Sequence, residues 1–393
     1  MAVMFSISNN NREIVNIHVT SKNRSIENEL NRNEQWITQA ENNAMILDER
    51  NSLATKKEVS KALLAVSAHQ KQIVAQMVSS NPEDSIALAL SASIEAYGKQ
   101  LTFIQGWTNG GLAMFESAER LMFEDLKDAV ERGETSGFVL EDLFVLAAID
   151  FVAHGYGGDP DMKGDIMHFL ESTGSGAHGV HEDWNSNKFA DHTPSLYKYM
   201  LDNSPISSLA FEILTFIDKE CGGSDALEEQ YKAHYDDDGG YIGNSGYPDS
   251  NGLSPMLRLA LMAEYLSMNP QTEQETINLF LTGSINEIDT FISANTSYDS
   301  AITFICENDG YAAGYGWRLY DDGNGGYILD WYGIGLDEIY FEDLYSNFPP
   351  RDLTEEEIEE VNRIGDQVKM LQQTLLYWLK ICRDEQKATA QNI

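Results

Sequence analysis

The sequence is poor in cysteine, and this scarcity excludes one class of fold. Cys221, Cys306 and Cys382 are the only cysteines in 393 residues, and they stand far apart. An odd number of widely spread cysteines is not the pattern of a disulfide framework. The chain is nevertheless 42% apolar, so it is long enough and hydrophobic enough to bury a sizeable core without such bridges.

Long apolar runs are also missing. No stretch approaches the roughly 20 consecutive apolar residues that a membrane-spanning helix needs. The most apolar segment, Val139 to Val152, is interrupted by Glu141, Asp142 and Asp150. We expect a buried helix from about Leu140 to His154 instead.

Basic residues are the third scarcity, with 26 Lys and Arg against 63 Asp and Glu, for a net charge of -37. Residues 133–350 hold 7 basic and 37 acidic side chains, a net of -30, so nearly all the excess lies in the middle of the chain. Such a segment repels nucleic acid and anionic lipid, which excludes DNA and RNA as partners and allows contact with a membrane only indirectly. A strongly charged surface also keeps a protein dispersed, which is the simplest explanation for the excess.

Motifs that carry enzymatic chemistry are missing as well. The chain has no glycine-rich phosphate-binding loop of either common kind and no Gly-x-Ser-x-Gly nucleophile elbow. With 63 acidic residues, any choice of a catalytic carboxylate pair is arbitrary. The sequence therefore favours a non-enzymatic role.

The C-terminal forty residues contain the clearest pattern in the chain. Apolar positions alternate in steps of three and four residues, which is typical of a coiled-coil seam. Thr354 and Glu357 have the spacing of a capping box just before this seam. The seam consists of Val361, Ile364, Val368, Leu371, Leu375, Trp378 and Cys382.

The N-terminal region repeats the same stepping, and a further seam runs from Val59 to Met77. Two matching seams at the two ends of a chain predict a helical hairpin that holds the intervening residues as an insertion. The first N-terminal seam consists of Ile26, Leu30, Asn33, Ile37, Ala40, Ala44 and Leu47.

These patterns predict a mainly α fold: an N- and C-terminal coiled-coil helical hairpin with a large acidic, mostly helical inserted domain. We predict a flexible export segment over 1–24, a helical region over 25–134, an acidic globular insert over 135–350 and a C-terminal helix over 351–393. Within the insert, Ser195–Lys219 is expected to be one helix. Alternating aromatic residues and a glycine-rich turn predict a small β-hairpin over 311–331.

Six of the eight histidines fall between residues 154 and 234, and the densest group contains His178, His181 and Asp183. Imidazole and carboxylate together suit zinc or another transition metal, so these three residues are candidate ligands for a divalent metal. The order His-x-x-His-Glu-Asp lacks the helical spacing of a zinc-protease motif. Asp159, Asp161 and Asp165 have no downstream residue that completes a calcium loop, and we expect turn chemistry there.

The stretch from Val361 to Ile381, together with the terminal Ala388–Ile393, resembles the final helix of the hydrophilic translocators of type III secretion systems, which form needle tips and filaments. The resemblance covers the first eighty and the last forty residues, and nothing in residues 135–350 contributes to it. It implies a leaderless N-terminal export segment, paired terminal helices and a variable inserted domain. It transfers no catalytic residue.

From this resemblance we expect a secreted structural protein on the bacterial cell surface that assembles with itself and meets a secretion chaperone and other translocators. It implies no cofactor. Assembly would use Ile26, Leu30, Ile37 and Leu47 together with the six residues of the C-terminal seam from Val361 to Trp378. Two alternatives remain: a metal-dependent secreted effector or hydrolase using His178 and His181, and a cytoplasmic secretion gatekeeper or acidic scaffold.

Overall fold

The computed structural model is mainly helical, with a small antiparallel β-sheet. The residues that it describes are 37, 38, 41, 93, 104, 106–174, 184–235, 252–308, 316–321, 327–332, 336–352 and 355–391.

The chain divides into two compact units. The terminal unit combines residues 1–105 with residues 353–393, and the acidic unit is formed by the continuous segment Gly106–Asp352. The division falls at 105/106, well before the boundary near residue 134 that the sequence suggested. The reason is that the helix beginning at Gly111 packs against several helices of the acidic unit.

The acidic unit begins with a series of helices. In chain order they are α1 (Gly111–Glu131), α2 (Phe138–Ala153), α3 (Pro160–Ser172), α4 (Ser186–Asn203), α5 (Leu209–Glu220), α6 (Gly223–His234) and α7 (Pro255–Met268).

Short helices and one hairpin complete this unit, and a long helix belongs to the terminal unit. They are α8 (Gln274–Thr282), α9 (Ile285–Asn295), α10 (Ala301–Asn308), β1 (Gly316–Asp321), β2 (Tyr327–Tyr332), α11 (Glu338–Ser346) and α12 (Glu355–Gln391).

Helix α2 forms the centre of the acidic unit. Every residue from Leu140 to Ala153 is buried, including three acidic residues. A helix that is apolar on all sides must be surrounded by other elements, and α2 contacts α1, α3, α5, α7 and α11. The expected buried helix is confirmed.

Polar side chains fix where the helices begin. Asp159 accepts hydrogen bonds from the backbone N–H groups of Asp161 and Met162 at the start of α3. Ser284 and Glu287 form a reciprocal capping box at the start of α9. Such caps satisfy the unpaired N–H groups of the first turn and each contributes about 1 kcal/mol. Asp159 is therefore a helix cap, whereas Asp161 and Asp165, for which turn chemistry was also expected, lie within α3.

The single helix expected over Ser195–Lys219 is wrong. The structure has two helices, α4 and α5, separated at Ser204 to Ser208. Pro205 has no N–H to continue the first helix, and Ser208 caps the second by accepting from the backbone N–H of Phe211. A proline followed by a cap residue is a boundary signal that the apolar spacing on both sides obscures.

The β-hairpin is confirmed. Strands β1 and β2 pair antiparallel, with Gly316 opposite Tyr332 and Trp317 opposite Trp331. The two tryptophan rings meet edge to face with centroids 5.4 Å apart, and both are buried. Cross-strand aromatic pairs of this kind stabilise a hairpin that is too small to be stable alone.

Charge divides between the two units much as the sequence suggested. The acidic unit contains 11 Lys and Arg against 44 Asp and Glu, a net of -33. The terminal unit contains 15 against 19, a net of -4.

Among the described helices, none combines the length and the apolar character that crossing a membrane requires.

Candidate functional site

The C-terminal seam lies on α12, a helix of 37 residues. Val361, Val368 and Leu375 are within this helix, as predicted. Of the other seam residues, Ile364 is completely buried, whereas Leu371 and Trp378 are half-buried. The seam is therefore helical over its whole length, and burial varies among the side chains that the structure describes.

One segment of the N-terminal region lies beside α12. Ile37 is helical and buried, and the carboxylate of Glu41 forms an ion pair with the ammonium group of Lys380 at 2.5 Å. Lys380 is two positions after Trp378, on the side of α12 away from the predicted seam. The ion pair therefore places residue 41 next to α12 without identifying the residues that pack between them. Ile26, Leu30 and Leu47 lie outside the described residues.

Helix α12 also exposes large apolar side chains. Met370 is 59% exposed and Tyr377 is 63% exposed. They are seven residues apart, so they lie on one side of the helix, two turns from each other. Each immediately precedes a half-buried seam residue, Leu371 or Trp378, which makes the two pairs natural comparisons.

The predicted metal ligands His178, His181 and Asp183 lie outside the described residues. Within the part of the chain that the structure describes, no group of three or more His, Cys, Asp or Glu side chains is arranged to hold a metal ion. Asp165 instead pairs with His192, with 2.9 Å between its Oδ2 atom and the histidine Nδ1 atom. The metal site stays a prediction.

Two histidines surround Trp184, the first described residue after the predicted metal segment. The ring centroid of Trp184 lies 4.5 Å from that of His168 and 4.1 Å from that of His192. The ammonium group of Lys188 lies 4.9 Å from the same ring. This group joins α3 to α4 through aromatic and cation–π contacts, so a structural role accounts for these histidines.

A second group of charged side chains lies where α1, α2 and α5 meet. We call it the His154 cluster, and it consists of Glu116, Glu119, Asp150 and His154. The Nδ1 atom of His154 lies 3.2 Å from Asp150 Oδ1, and its Nε2 atom lies 3.4 Å from Glu116 Oε1. The backbone N–H of Ala210, in the first turn of α5, donates to Asp150 Oδ2 at 2.8 Å. Asp150 therefore caps α5 and holds the imidazole at the same time.

The imidazole of this cluster is cationic. Burial alone lowers the pKa of His154, but the hydrogen bonds to Asp150 and Glu116 and the negative charges around the ring outweigh burial and raise the pKa to about 12. The ring also stacks on Tyr156, with centroids 5.3 Å apart and the planes 12° from parallel. A protonated imidazole held in this way is a fixed positive charge and cannot act as a general base near neutral pH.

Glu119 is the unusual member of the cluster. It is fully buried, and none of the described residues forms a hydrogen bond with either carboxyl oxygen. Burial, with the negative charge of Asp150 next in importance, raises the pKa of Glu119 well above its ordinary value. Burial therefore favours the protonated carboxyl, which lies among Glu116, Asp150 and His154 with an unused polar end.

Around this cluster is a rim on the surface of the acidic unit, formed by Tyr156, Glu338, Glu342 and Tyr345. The carboxylate of Glu338 approaches Gly155 so closely that a Cβ at Gly155 would lie 2.8 Å from its Oε1. Gly155 has a φ of 65°, which other residues rarely adopt. Tyr345 packs on Phe115 with ring centroids 5.6 Å apart, and this contact joins α11 to α1.

A second buried acid lies on the other side of α2. Glu141 is fully buried, and burial together with the charge of Asp142 raises the pKa of Glu141 to about 8. The backbone N–H of Gly174 and the hydroxyl of Tyr231 partly oppose this shift, although neither reaches hydrogen-bond geometry. A Cβ at Gly174 would lie 2.9 Å from the side chain of Ser254, so the site is tightly packed.

The sequence analysis missed the His154 cluster, and a signal was present. Glu119 follows Phe115 by four residues and precedes Met122 by three, so it lies on the apolar stripe of α1. Asp150 interrupts the most apolar helix of the chain. An acidic residue in an apolar stripe predicts a buried carboxyl, and two such helices in contact bring the carboxyls together.

Comparison with known proteins adds no relative: no protein-family model, no curated protein and no solved structure matches this chain.

Proposed function

We propose that this chain is a non-enzymatic structural protein that assembles through its terminal helices and presents the acidic unit. The observation that carries the proposal is the division of the chain, in which residues 1–105 and 353–393 belong to one compact unit and the intervening segment forms another. A domain inserted between the two ends leaves those ends as a separate unit that can assemble. The resemblance to hydrophilic translocators of type III secretion systems rests on this arrangement and on the C-terminal seam.

The net charges of the two units support the same assignment of roles. The terminal unit has a net charge of -4, whereas the acidic unit has -33. Copies of a nearly neutral unit approach each other at little electrostatic cost, but copies of the acidic unit repel. Assembly through the ends with the acidic units held apart satisfies both conditions.

Helix α12 supplies the surface for assembly in this proposal. Leu371 and Trp378 lie on the seam and remain half-buried, so each retains apolar surface that a further helix would cover. Burying such side chains stabilises an association by about 25 cal/mol per Å² of apolar area before the cost of ordering is subtracted.

The test compares two matched double variants of the full chain. Leu371→Lys with Trp378→Lys places two charges on the seam, and Met370→Lys with Tyr377→Lys places two charges one residue earlier, on the exposed side. Both variants gain the same charge on the same helix. The molar mass of wild type and variants is measured by size-exclusion chromatography with light scattering.

We expect wild type to be oligomeric, the seam variant to be monomeric or shifted by tenfold or more in its dissociation constant, and the exposed-side variant to resemble wild type. Wild type that is monomeric across the accessible concentration range, or equal loss in both variants, contradicts assembly through the seam. The resemblance to translocators also implies secretion. Export of the full chain by a type III secretion apparatus, and its failure after removal of residues 356–393, tests that implication separately.

A further inference from the structure

We propose that the rim of the His154 cluster binds a basic side chain of a partner protein, and that Glu119 releases its proton to solvent when that positive charge arrives. The site is distinct from the assembly surface proposed above, because every residue in it belongs to the acidic unit. The proposal therefore holds or fails independently of how the terminal helices assemble.

The first observation is an uncompensated concentration of carboxylates beside aromatic rings. Glu116, Glu338 and Glu342 are exposed, and the nearby Tyr156 and Tyr345 are half-buried. The imidazolium of His154 supplies one positive charge to this neighbourhood, which it shares between Asp150 and Glu116. The three exposed carboxylates therefore present a net negative surface close to two tyrosine rings.

The second, independent observation is Glu119. Its carboxyl is fully buried and has no hydrogen-bond partner among the described residues, and it lies beneath the same surface, next to Glu116 and His154. Leaving a buried polar group unpaired is energetically unfavourable. An unpaired buried carboxyl calls for an explanation, and a cation bound at the rim would supply its counter-charge.

The chemistry of the rim selects a basic side chain over a metal ion. Calcium takes six to eight oxygen ligands, and the described residues contain no group arranged to hold a metal ion. A lysine or arginine side chain instead combines a cationic head with an apolar stem. The head suits the carboxylates, and the stem suits Tyr156, Tyr345 and Ile339, which is 64% exposed beside Glu338. The net charge of -33 on the acidic unit attracts such a partner from a distance.

Proton release from Glu119 depends on the charged groups that surround it. A new positive charge near Glu116 favours the ionised form of Glu119, opposing the burial that keeps it neutral. The proton then passes to solvent, so the binding of one cationic side chain releases at most one proton. The charged groups closest to this carboxyl are Glu116 and Arg120 on α1, Asp150 on α2 and His154 directly after α2. The groups around these neighbours are Tyr156 after α2, Glu212 on α5, which pairs with Arg120, and Glu338, Glu342 and Tyr345 on α11.

The experiment measures the binding of a capped pentalysine peptide to the full chain by isothermal titration calorimetry at pH 7. The rim variant is Glu338→Gln with Glu342→Gln. The matched control is Glu273→Gln with Glu275→Gln, which removes the same charge from two exposed positions at the start of α8. We expect the rim variant to weaken binding about tenfold and the control to change it less than twofold. Equal weakening in both variants would mean that the probe responds only to net charge, which overturns the proposal.

A second readout distinguishes a specific site from general attraction. Titrations in two buffers with different ionisation enthalpies report the number of protons released on binding. We expect a measurable fraction of one proton from wild type and none from Glu119→Gln, which keeps the shape of the buried side chain. Equal release from both proteins, or half-saturation by calcium ions at a lower concentration than by the peptide, also overturns the proposal.

Discussion

The terminal unit and the acidic unit use their side chains in opposite ways. The acidic unit encloses its own core, with α2 buried along its length, and carries nearly all the excess negative charge. In the terminal unit, among the α12 side chains that the structure describes, Ile364 is completely buried, whereas Met370 and Tyr377 lie largely in solvent. The comparison teaches that a self-sufficient core and a helix with exposed large apolar side chains can occupy separate units of one chain, when the first is inserted within the sequence of the second.

The largest expected effects come from core residues, one in each unit. Phe144→Ala should cost about 3–5 kcal/mol in the acidic unit, and Ile364→Ala about 2–5 kcal/mol in the terminal unit, because each side chain is almost completely buried. Scanning calorimetry of the full chain should show two transitions, with Phe144→Ala lowering only one and Ile364→Ala only the other. If both substitutions lower the same single transition, the two units are not separate.

The next effect concerns the fixed charge in the His154 cluster. Asp150→Asn removes the buried partner of the imidazolium and should cost about 3–5 kcal/mol of unfolding free energy in a urea titration. The pKa of His154, followed by NMR, should fall from about 12. Glu116→Gln is the control, since its side chain is 52% exposed and exposed pairs contribute less than about 1 kcal/mol. Equal costs for the two variants would contradict the role given to Asp150.

A smaller effect, spread over pH, distinguishes the acidic unit from the terminal one. Burial raises the pKa of Glu141 from an unfolded value of about 4.3 to about 8. The unfolded chain therefore loses its proton first, so the stabilisation is complete below pH 4.3 and falls as pH rises towards 8. The slope from one such group is about 1.4 kcal/mol per pH unit.

The corresponding measurement is the unfolding free energy of wild type and Glu141→Gln from pH 5 to pH 8. Wild type should lose stability with rising pH, and the variant should lose it less steeply, because one titrating group has been replaced by a neutral side chain of the same shape. Glu119 contributes in the same direction and accounts for part of the slope that remains. Parallel pH profiles for the two proteins would refute the protonated state of Glu141.

The smallest effect is expected at the ion pair between Glu41 and Lys380. Both side chains are more than 40% exposed, so Lys380→Ala should cost less than about 1 kcal/mol. Scanning calorimetry of the terminal transition measures the cost. A loss of several kcal/mol would show that this contact, and not the apolar seam, holds the ends together.

Much of the fold follows from local sequence patterns. The buried helix α2, the Trp317–Trp331 hairpin and the long helix α12 have strong periodicity or clear turn residues, and all three are confirmed. The boundary between α4 and α5 was missed because apolar spacing continues across Pro205. The unit boundary at Gly106 depends on which helices α1 contacts, and no local pattern encodes that choice.

The candidate site was harder to predict for a physical reason. The predicted site rested on residues close in sequence, such as His178 and His181, whereas the His154 cluster joins side chains of α1 with side chains at the end of α2, and its Asp150 accepts from a backbone N–H of α5. Its members are separated by up to 38 residues, from Glu116 to His154. A single acidic residue in each of two apolar stripes was visible, but their meeting is a consequence of packing.

Hydrogen exchange by mass spectrometry, applied to wild type and to the Leu371→Lys, Trp378→Lys variant, tests the central claim most directly, because it follows both ends and the insert in one experiment. The division into two units predicts that the variant loses protection in residues 355–391 and in the segment around Ile37 and Glu41, while peptides from α2 and α7 exchange as slowly as in wild type. Loss of protection throughout the chain, or loss confined to α12, would contradict the pairing of the two ends as a unit separate from the acidic one.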